Sequence, residues 1–195
     1  MDCGFIKMNL RVLWSLNVLT YLVGVVYYDK RVQHRQQRIA FKRSLINLML
    51  LYTLTFLLKA TPDVEISWRC LGSFSMWLLI SEGMFSLSHR VLHTKQFYWI
   101  HKQHHENNPS FASSSLDAHP IEFLIGNVCS IVLPMYMFVA SRIVQIFWIV
   151  FVVYNTCKAH RQPGEHTLHH QKRQVNYGQG LYMYDRIFKT FLTYK

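Results

Sequence analysis

Residues 71–105 read "LGSFSMWLLISEGMFSLSHRVLHTKQFYWIHKQHH". The first part, residues 71–88, holds a single ionisable group, Glu82; the second part carries His89, His93, His101, His104 and His105. An apolar segment of this length approaches the roughly twenty residues with which a helix crosses a bilayer's hydrocarbon core. The stretch therefore reads as a membrane span that emerges directly into a histidine cluster. Ten of the eleven histidines in the chain fall between His89 and His170, and only His34 lies outside.

Working outward, the apolar pattern recurs. Residues 10–28, "LRVLWSLNVLTYLVGVVYY", contain one charge, Arg11. Residues 44–58, "SLINLMLLYTLTFLL", form a second block that extends to about 60, a further block runs from Ile121 to Ala140, and a short one from Ile143 to Tyr154. With 51% hydrophobic and 16% charged residues in 195, this distribution predicts an all-α integral membrane fold. It would have about four transmembrane helices or helical hairpins and a histidine-rich helical cap. Residues 1–70 are expected to be a membrane anchor region, with spans at about 10–28 and 44–60 joined by a basic connector, 29–43. Residues 71–195 then form the histidine-bearing domain, with its span at 71–88 and a membrane hairpin at 121–157. The first block is too long for the apolar core of a signal peptide and precedes "DKRVQHRQQR" with no small-residue cleavage site, so it reads as a retained anchor.

Basic residues set the expected orientation. Connector 29–43 holds six Lys or Arg, whereas connector 59–70 holds two against two acids, which places the first connector and the histidines on the cytosolic side. The net charge of +11 is carried by residues that flank apolar spans. It reads as topology signal and contact with anionic lipid headgroups, and nucleic acid is not an expected partner. Cys3, Cys70, Cys129 and Cys157 form no C-x-x-C pair, so neither a disulfide framework nor a thiolate metal site is expected.

Between the early and late histidines the chain re-enters the membrane. Pro134 is expected to kink the first pass, and the second contains about fifteen helical residues, roughly 22 Å. A shallow re-entrant hairpin and two full crossings both stay open, and both return the chain to the face it left. Residues 106–120, "ENNPSFASSSLDAHP", read as a polar loop rich in turn formers. Tyr27, Tyr28, Trp68, Tyr98 and Trp99 lie near span ends, as interfacial anchors do.

Three arrays carry the chemistry. His89 and His93 form H-x-x-x-H; His101, His104 and His105 form H-x-x-H-H; His166, His169 and His170 form H-x-x-H-H again. Residues three and four apart share a helix face, so each array is expected to aim two or three imidazoles at one point. Eight histidines exceed what one structural zinc needs and imply more than one metal ion. Imidazole-rich sites suit iron, zinc, copper or nickel. Iron is also the metal that activates oxygen, which attack on an unactivated lipid C–H bond requires. Glu82, two helical turns before His89, is expected to accept a hydrogen bond from a ligand imidazole or to pair with Arg90. Glu122 is expected to support His119 in the same way or to act as a charge in a helix's first turn. Asn176, Tyr177 and Gly178 are a turn signal, and Asp185 with Arg186 reads as an exposed pair.

In this order and spacing, "HRVLH", "HKQHH" and "HTLHH" resemble the three histidine boxes of the fatty acid hydroxylase superfamily, which includes sterol desaturases, sterol methyl oxidases and lipid hydroxylases. "AHPIE" at 118–122 is similar to that family's His-Pro-x-Glu element, His160 matches a lone histidine before the third box, and "NYG" (176–178) with "DRIF" (185–188) resembles its closing segment. The resemblance covers about residues 75–190. It implies a membrane oxidoreductase with two iron ions that takes O2 as co-substrate. Electrons would come from NAD(P)H through a b-type cytochrome, and the protein would hydroxylate, demethylate or desaturate a sterol or fatty-acyl lipid at the endoplasmic reticulum. Carried over by position, the metal ligands would be His89, His93, His101, His104, His105, His160, His166, His169 and His170, with His119 either ligating or supporting. Glu82, Glu122, Asn176 and Asp185 would surround them, Asn176 ordering the loop after the third box and Asp185 pairing with Arg173 or Arg186. The family usually has glycine where this chain has Lys189, and many members are longer. The rival reading is a non-catalytic metal-binding membrane protein, either a decayed homologue or a divalent-cation carrier. A carrier should place its ionisable ligands at mid-membrane, whereas these lie at the edges of spans and in loops.

Overall fold

The computed structural model describes residues 10–29, 35–54, 64–161 and 163–195. Cys3, residues 30–34 of the connector between the first two spans (His34 among them) and the stretch 55–63, which includes the end of the second span, lie outside the described residues. Helices dominate, and no strand occurs among the described residues. They are α1 (Leu10–Asp29), α2 (Arg35–Leu54), α3 (Trp68–Leu92), α4 (Tyr98–His105), α5 (Pro120–Met137), α6 (Arg142–Ala159), α7 (Glu165–Lys172) and α8 (Met183–Ile187).

Three of these, α3, α5 and α6, are long and apolar enough to cross a membrane. Their outward residues are as apolar as their inward ones. Leu71 and Leu87 on α3, Ile125 and Leu133 on α5, and Ile143 and Phe147 on α6 are all exposed, which an aqueous solvent would penalise and lipid tails do not. The α6 helix runs 18 residues, or about 27 Å. It exceeds the expected short pass because the helix continues through Arg142 at one end and Lys158 at the other. In α5 the irregularity begins before the proline. Phe123–Cys129 forms a wide π-type turn, followed by regular helix around Pro134. The Ser130 hydroxyl donates back to the Gly126 carbonyl at 2.5 Å and to that of Asn127 at 2.9 Å, side-chain-to-backbone bonding of the kind that accompanies a bent or irregular helix.

The tip of the α5–α6 hairpin is fastened to α3 by hydrogen bonds to its own backbone. Trp77 Nε1 donates to Phe138 O (2.8 Å) and Ser73 Oγ to Val139 O (2.8 Å), while Gln145 Nε2 of α6 braces the tip from within the hairpin by donating to Ala140 O (2.7 Å). Around them pack Cys70, Trp77, Met135, Trp148 and Ile149, with Phe74 edge-on to Trp148. The opposite ends of the same helices, the C-termini of α3 and α6 and the N-terminus of α5, thus gather at the histidine end. The second core joins Tyr21, Val25 and Leu48 of α1 and α2 to Phe123, Val153 and Cys157. Helix α1 lies so close to α6 that a Cβ on Gly24 would meet Cys157 Sγ at 2.8 Å, so this crossing tolerates only glycine on the α1 side.

The loop between α4 and α5 is polar, as expected, and it is buried. Asn107, Ser110 and every residue from Ala112 to Ala118 are buried. Its polarity serves internal hydrogen bonds instead of contact with water. The Asp29 carboxylate, at the end of α1, accepts from Ala112 N (2.7 Å) and Ser113 N (2.8 Å), as an N-cap does for the following 3₁₀ turn.

Candidate metal centre

Helical spacing sets the histidine geometry, and it divides the boxes in a way that spacing alone does not reveal. His89 lies in the last turn of α3 and His93 caps it; His101, His104 and His105 lie on α4; His160 caps α6; and His166, His169 and His170 lie on α7. Two groups form among the described residues. In the first, His89, His93, His101, His105 and His169 hold their ring nitrogens within 4.8 Å of one another; in the second, His104, His160, His166 and His170 do the same. Each H-x-x-H-H array is therefore shared, contrary to the expectation that one array serves one point. His101 and His105, one turn apart, face the first group, while His104, about 100° around the helix from His105, faces the second. In α7 the pair His166 and His170 faces the second group and His169 the first. The groups adjoin, with the His105 and His170 rings 4.7 Å apart. His119 joins neither. It caps α5, its Nδ1 accepting from Ile121 N at 3.3 Å, and its ring lies against Trp99.

The outer ring nitrogens fix which lone pairs point inward. His104 Nδ1 donates to Asp117 O (3.0 Å) and His160 Nδ1 to Thr156 O (2.8 Å). A carbonyl oxygen only accepts, so in each neutral ring the Nε2 carries a lone pair. These two Nε2 atoms face each other at 3.3 Å. The same holds for His89, which donates from Nδ1 to Tyr177 O, and His101, which donates to Glu122 Oε1, both at 2.7 Å; their Nε2 atoms approach to 2.9 Å. Lone pairs directed at one another at hydrogen-bond distance repel unless a cation lies between them. His169, whose Nδ1 donates to Val175 O (2.8 Å), adds a fifth fixed donor. Both ring nitrogens of His166 and of His170 are buried with no hydrogen-bond partner, a desolvation cost that coordination would remove.

Burial also decides protonation. It is the leading cause that holds His93 down at about 4, His105 at about 2 and His160 at about 3. It likewise lowers His101, His104, His166, His169 and His170, and for all but His104 neighbouring histidines depress them further. At neutral pH these imidazoles are uncharged, the form that ligates. The donor set is wholly imidazole, with carboxylates one step removed, and it fits a pair of borderline divalent cations.

The supporting residues hold different partners from those expected. Glu122 accepts from His101 and not from His119. Among the described residues Glu82 binds no imidazole and no arginine; its Oε1 accepts from Met183 N at 2.7 Å, fastening α8 to α3. Asp185 pairs with neither Arg173 nor Arg186, and it is fully buried. It accepts from Arg90 Nη2 (2.8 Å), Thr190 Oγ1 (2.7 Å), Tyr177 N (3.0 Å) and Gly178 N (2.7 Å). Arg90 stacks on the Tyr177 ring at 4.3 Å, and Tyr177 O is the acceptor for His89. Gly178 leaves room for this arrangement, since a Cβ there would meet Asp185 Oδ2 at 3.0 Å. Asn176, at φ 54°, ties the segment to α7 and the C-terminal residues through Glu165 O (2.9 Å) and Leu192 O (2.8 Å). The carbonyls of Asp117, Thr156 and Val175 are working parts that sequence reasoning did not single out, while Arg90 and Tyr177, named as a partner for Glu82 and as part of a turn, instead serve Asp185 and His89. The polar residues bracketing the boxes, "NNPS" and "SSSLD", were the available signal for the first of these.

Beside the centre a groove of about 360 Å³ runs between α3 and α6, walled by Leu78, Phe85, Trp148, Phe151 and Leu181. Phe85 separates it from the first histidine group, its ring 5.3 Å from that of His89. Asn155, Lys158 and Gln179 make one end polar.

A family model described as fatty acid hydroxylase matches residues 74–190. Fatty acid hydroxylase domain-containing protein 2 of Macaca fascicularis is 34% identical over 53% of this chain and 34% of its own length. Methylsterol monooxygenase 1 of Rattus norvegicus is 30% identical over 65% of this chain and 47% of its own length. Delta(7)-sterol 5(6)-desaturase ERG3A of Gibberella zeae is 24% identical over 91% of this chain and 61% of its own length. The chain thus spans from about a third to three-fifths of these relatives. No solved structure matches it. The matched region exceeds half of the chain and contains both histidine groups, and the protein belongs to the fatty acid hydroxylase family.

Proposed function

We propose that this protein is a membrane-embedded oxidoreductase that holds two iron ions and uses O2 to hydroxylate, demethylate or desaturate a sterol or fatty-acyl lipid. The observation that carries the reading is the pair of adjoining all-histidine groups whose lone pairs converge. Two bound irons would supply oxygen activation, the oxidising power that an unactivated C–H bond demands. The first group would hold one ion and the second the other. The protein's own contribution is to keep nine imidazoles neutral, oriented and dry. Backbone carbonyls and Glu122 hold the outer nitrogens of His89, His101, His104, His160 and His169, which fixes both tautomer and ring direction. Burial excludes bulk water, which would otherwise compete with substrate for a reactive oxidant. The α3–α6 groove would admit the lipid sideways from the bilayer, with Phe85 setting how far it advances toward His89.

The basic connector 29–43 supports a cytosolic centre, and the sterol-enzyme relatives support residence in the endoplasmic reticulum. Electrons would arrive from NAD(P)H through a b-type cytochrome. Residues 71–195 would constitute the catalytic domain and residues 1–70 its membrane anchor, with α1 as a further span. The test is lipid and sterol mass spectrometry of cells expressing the protein or its His104→Ala/His105→Ala variant beside an adequate electron donor. An oxygenated or newly unsaturated lipid seen only with the intact protein is expected. Identical lipid profiles with both proteins well expressed would overturn the reading.

A further inference from the structure

The family match begins at residue 74, yet α2 contacts the polar unit that supports the second histidine group: Gln36 donates to Asn107, Arg43 lies 3.8 Å from the Asp117 carboxylate, Ser44 donates to Ser113 O, and Asn47 makes two bonds. Asn47 is 1% exposed within an otherwise apolar run of α2. A buried amide in such a helix is costly unless it is fully hydrogen-bonded. Its Nδ2 donates both hydrogens across to the α4–α5 loop, to Leu116 O at 2.8 Å and to Ala118 O at 2.9 Å. Those two carbonyls bracket Asp117, whose own carbonyl accepts from His104 Nδ1 at 3.0 Å. The Asp117 carboxylate is held from the other side by Gln103 Nε2 (2.8 Å) and Asn107 Nδ2 (2.9 Å), both of them on or next to α4. The loop and α4 are thus one hydrogen-bonded unit; Arg43 of α2 faces the Asp117 carboxylate from the solvent side, and Asn47 is the buried α2 side chain that holds the backbone on both sides of the residue that orients His104.

His104 is also the odd member of its group. His160, His166 and His170 come from one short stretch of chain, whereas His104 alone is brought from α4. We infer that Asn47 is a positioning residue for His104 and thereby sets the affinity of the second ion, which makes α2 part of the metal centre as well as a membrane anchor. The inference rests on the two-ion reading above.

The experiment uses the full chain purified in detergent, loaded anaerobically with iron(II), with bound ions counted and the affinity of each measured by titration. Wild type is expected to bind two. Asn47→Leu keeps volume and apolar packing but removes both donors. It should weaken one ion about 10- to 100-fold, as loss of an outer-shell partner does, while the other stays unchanged. Asn47→Ser, with one short donor, should give a smaller loss of the same single ion. Ser44→Ala, which removes a bond from the same helix to Ser113 O, should leave both ions in place. Two ions with unaltered affinity in Asn47→Leu would overturn the inference and leave the two-ion reading standing. Loss of both ions together, or of folding, in both Asn47 variants would mark a purely structural residue and overturn it as well. Equal selective loss in Ser44→Ala would overturn it too, by assigning the effect to the loop as a whole. Wild type binding fewer than two ions would overturn the inference and the two-ion reading together.

Discussion

Replacing Asp185 with alanine removes four acceptor contacts at once from a carboxylate with no solvent exposure. The largest loss is the pairing with Arg90, whose side chain is 22% exposed. Breaking a buried pair by deleting one partner costs about 3–5 kcal/mol, and the partial exposure of Arg90 places this case toward the lower end. The amides of Tyr177 and Gly178 then lose their acceptor in a buried turn, at about 1–3 kcal/mol for each group left unsatisfied. Water entering the vacated volume would recover part of that. A net loss of about 4 kcal/mol is expected, which for a chain of this size lowers the unfolding midpoint by roughly 8–16 °C. The assay is intrinsic-fluorescence thermal unfolding of the metal-free protein in one detergent, wild type against Asp185→Ala and Asp185→Asn. Asparagine preserves shape but presents an NH2 to a ring of donors, so it should recover little. A drop below 2 °C in both variants would refute the reasoning, because it would mean that the Arg90–Asp185–Tyr177 network is not what holds the turn.

Other expectations are narrower. Glu122→Ala leaves the His101 Nδ1–H without its acceptor and should weaken one ion, in the first group, by about 10- to 100-fold; unaltered titration would contradict the His101–Glu122 pairing. The histidine pKa values are lower folded than unfolded, so the unfolded chain binds more protons and the metal-free protein gains stability with rising pH. That stability should be complete above about 6.5 and fall as pH drops toward about 4, where His93 begins to protonate in the folded state; a midpoint that does not change between pH 8 and 5 would contradict it. Lys189 is exposed at φ 56°, a left-handed conformation that favours glycine. Lys189→Gly should raise stability by up to about 1 kcal/mol after the entropy of the unfolded glycine is subtracted, measured in the same unfolding assay, and a clear loss of stability would contradict this.

What was legible in the sequence was whatever depends on local spacing. The alternation of apolar blocks with histidine arrays gave the helices through their period, and the return of the chain after the membrane hairpin gave the convergence of residues 89–105 with 160–170. The division of each H-x-x-H-H array between two groups was not legible. It depends on how α4 and α7 are rotated against each other, which no periodicity within either helix encodes. Glu82 and Asp185 found partners 101 and 95 residues away, Met183 N and Arg90, where sequence reasoning offered only near neighbours. The α4–α5 loop was legible as a polar loop rich in turn formers, and its burial was not. Here a carboxylate from α1 and an amide from α2 replace water at its backbone, and the signals for that were single polar residues, Asp29 and Asn47, at the end of one apolar block and inside the next. His119 fits a box-like motif in the sequence but serves as a helix cap, a role available to any residue with an acceptor placed before Pro120.

The most direct measurement is the iron content of the full-length protein after anaerobic loading and removal of loosely bound metal, alongside His169→Ala and His166→Ala, one substitution in each histidine group. Two ions per wild-type chain are predicted, with each variant weakened in a single, different ion. One ion or fewer in the fully loaded wild type would contradict a two-ion centre built from these nine histidines.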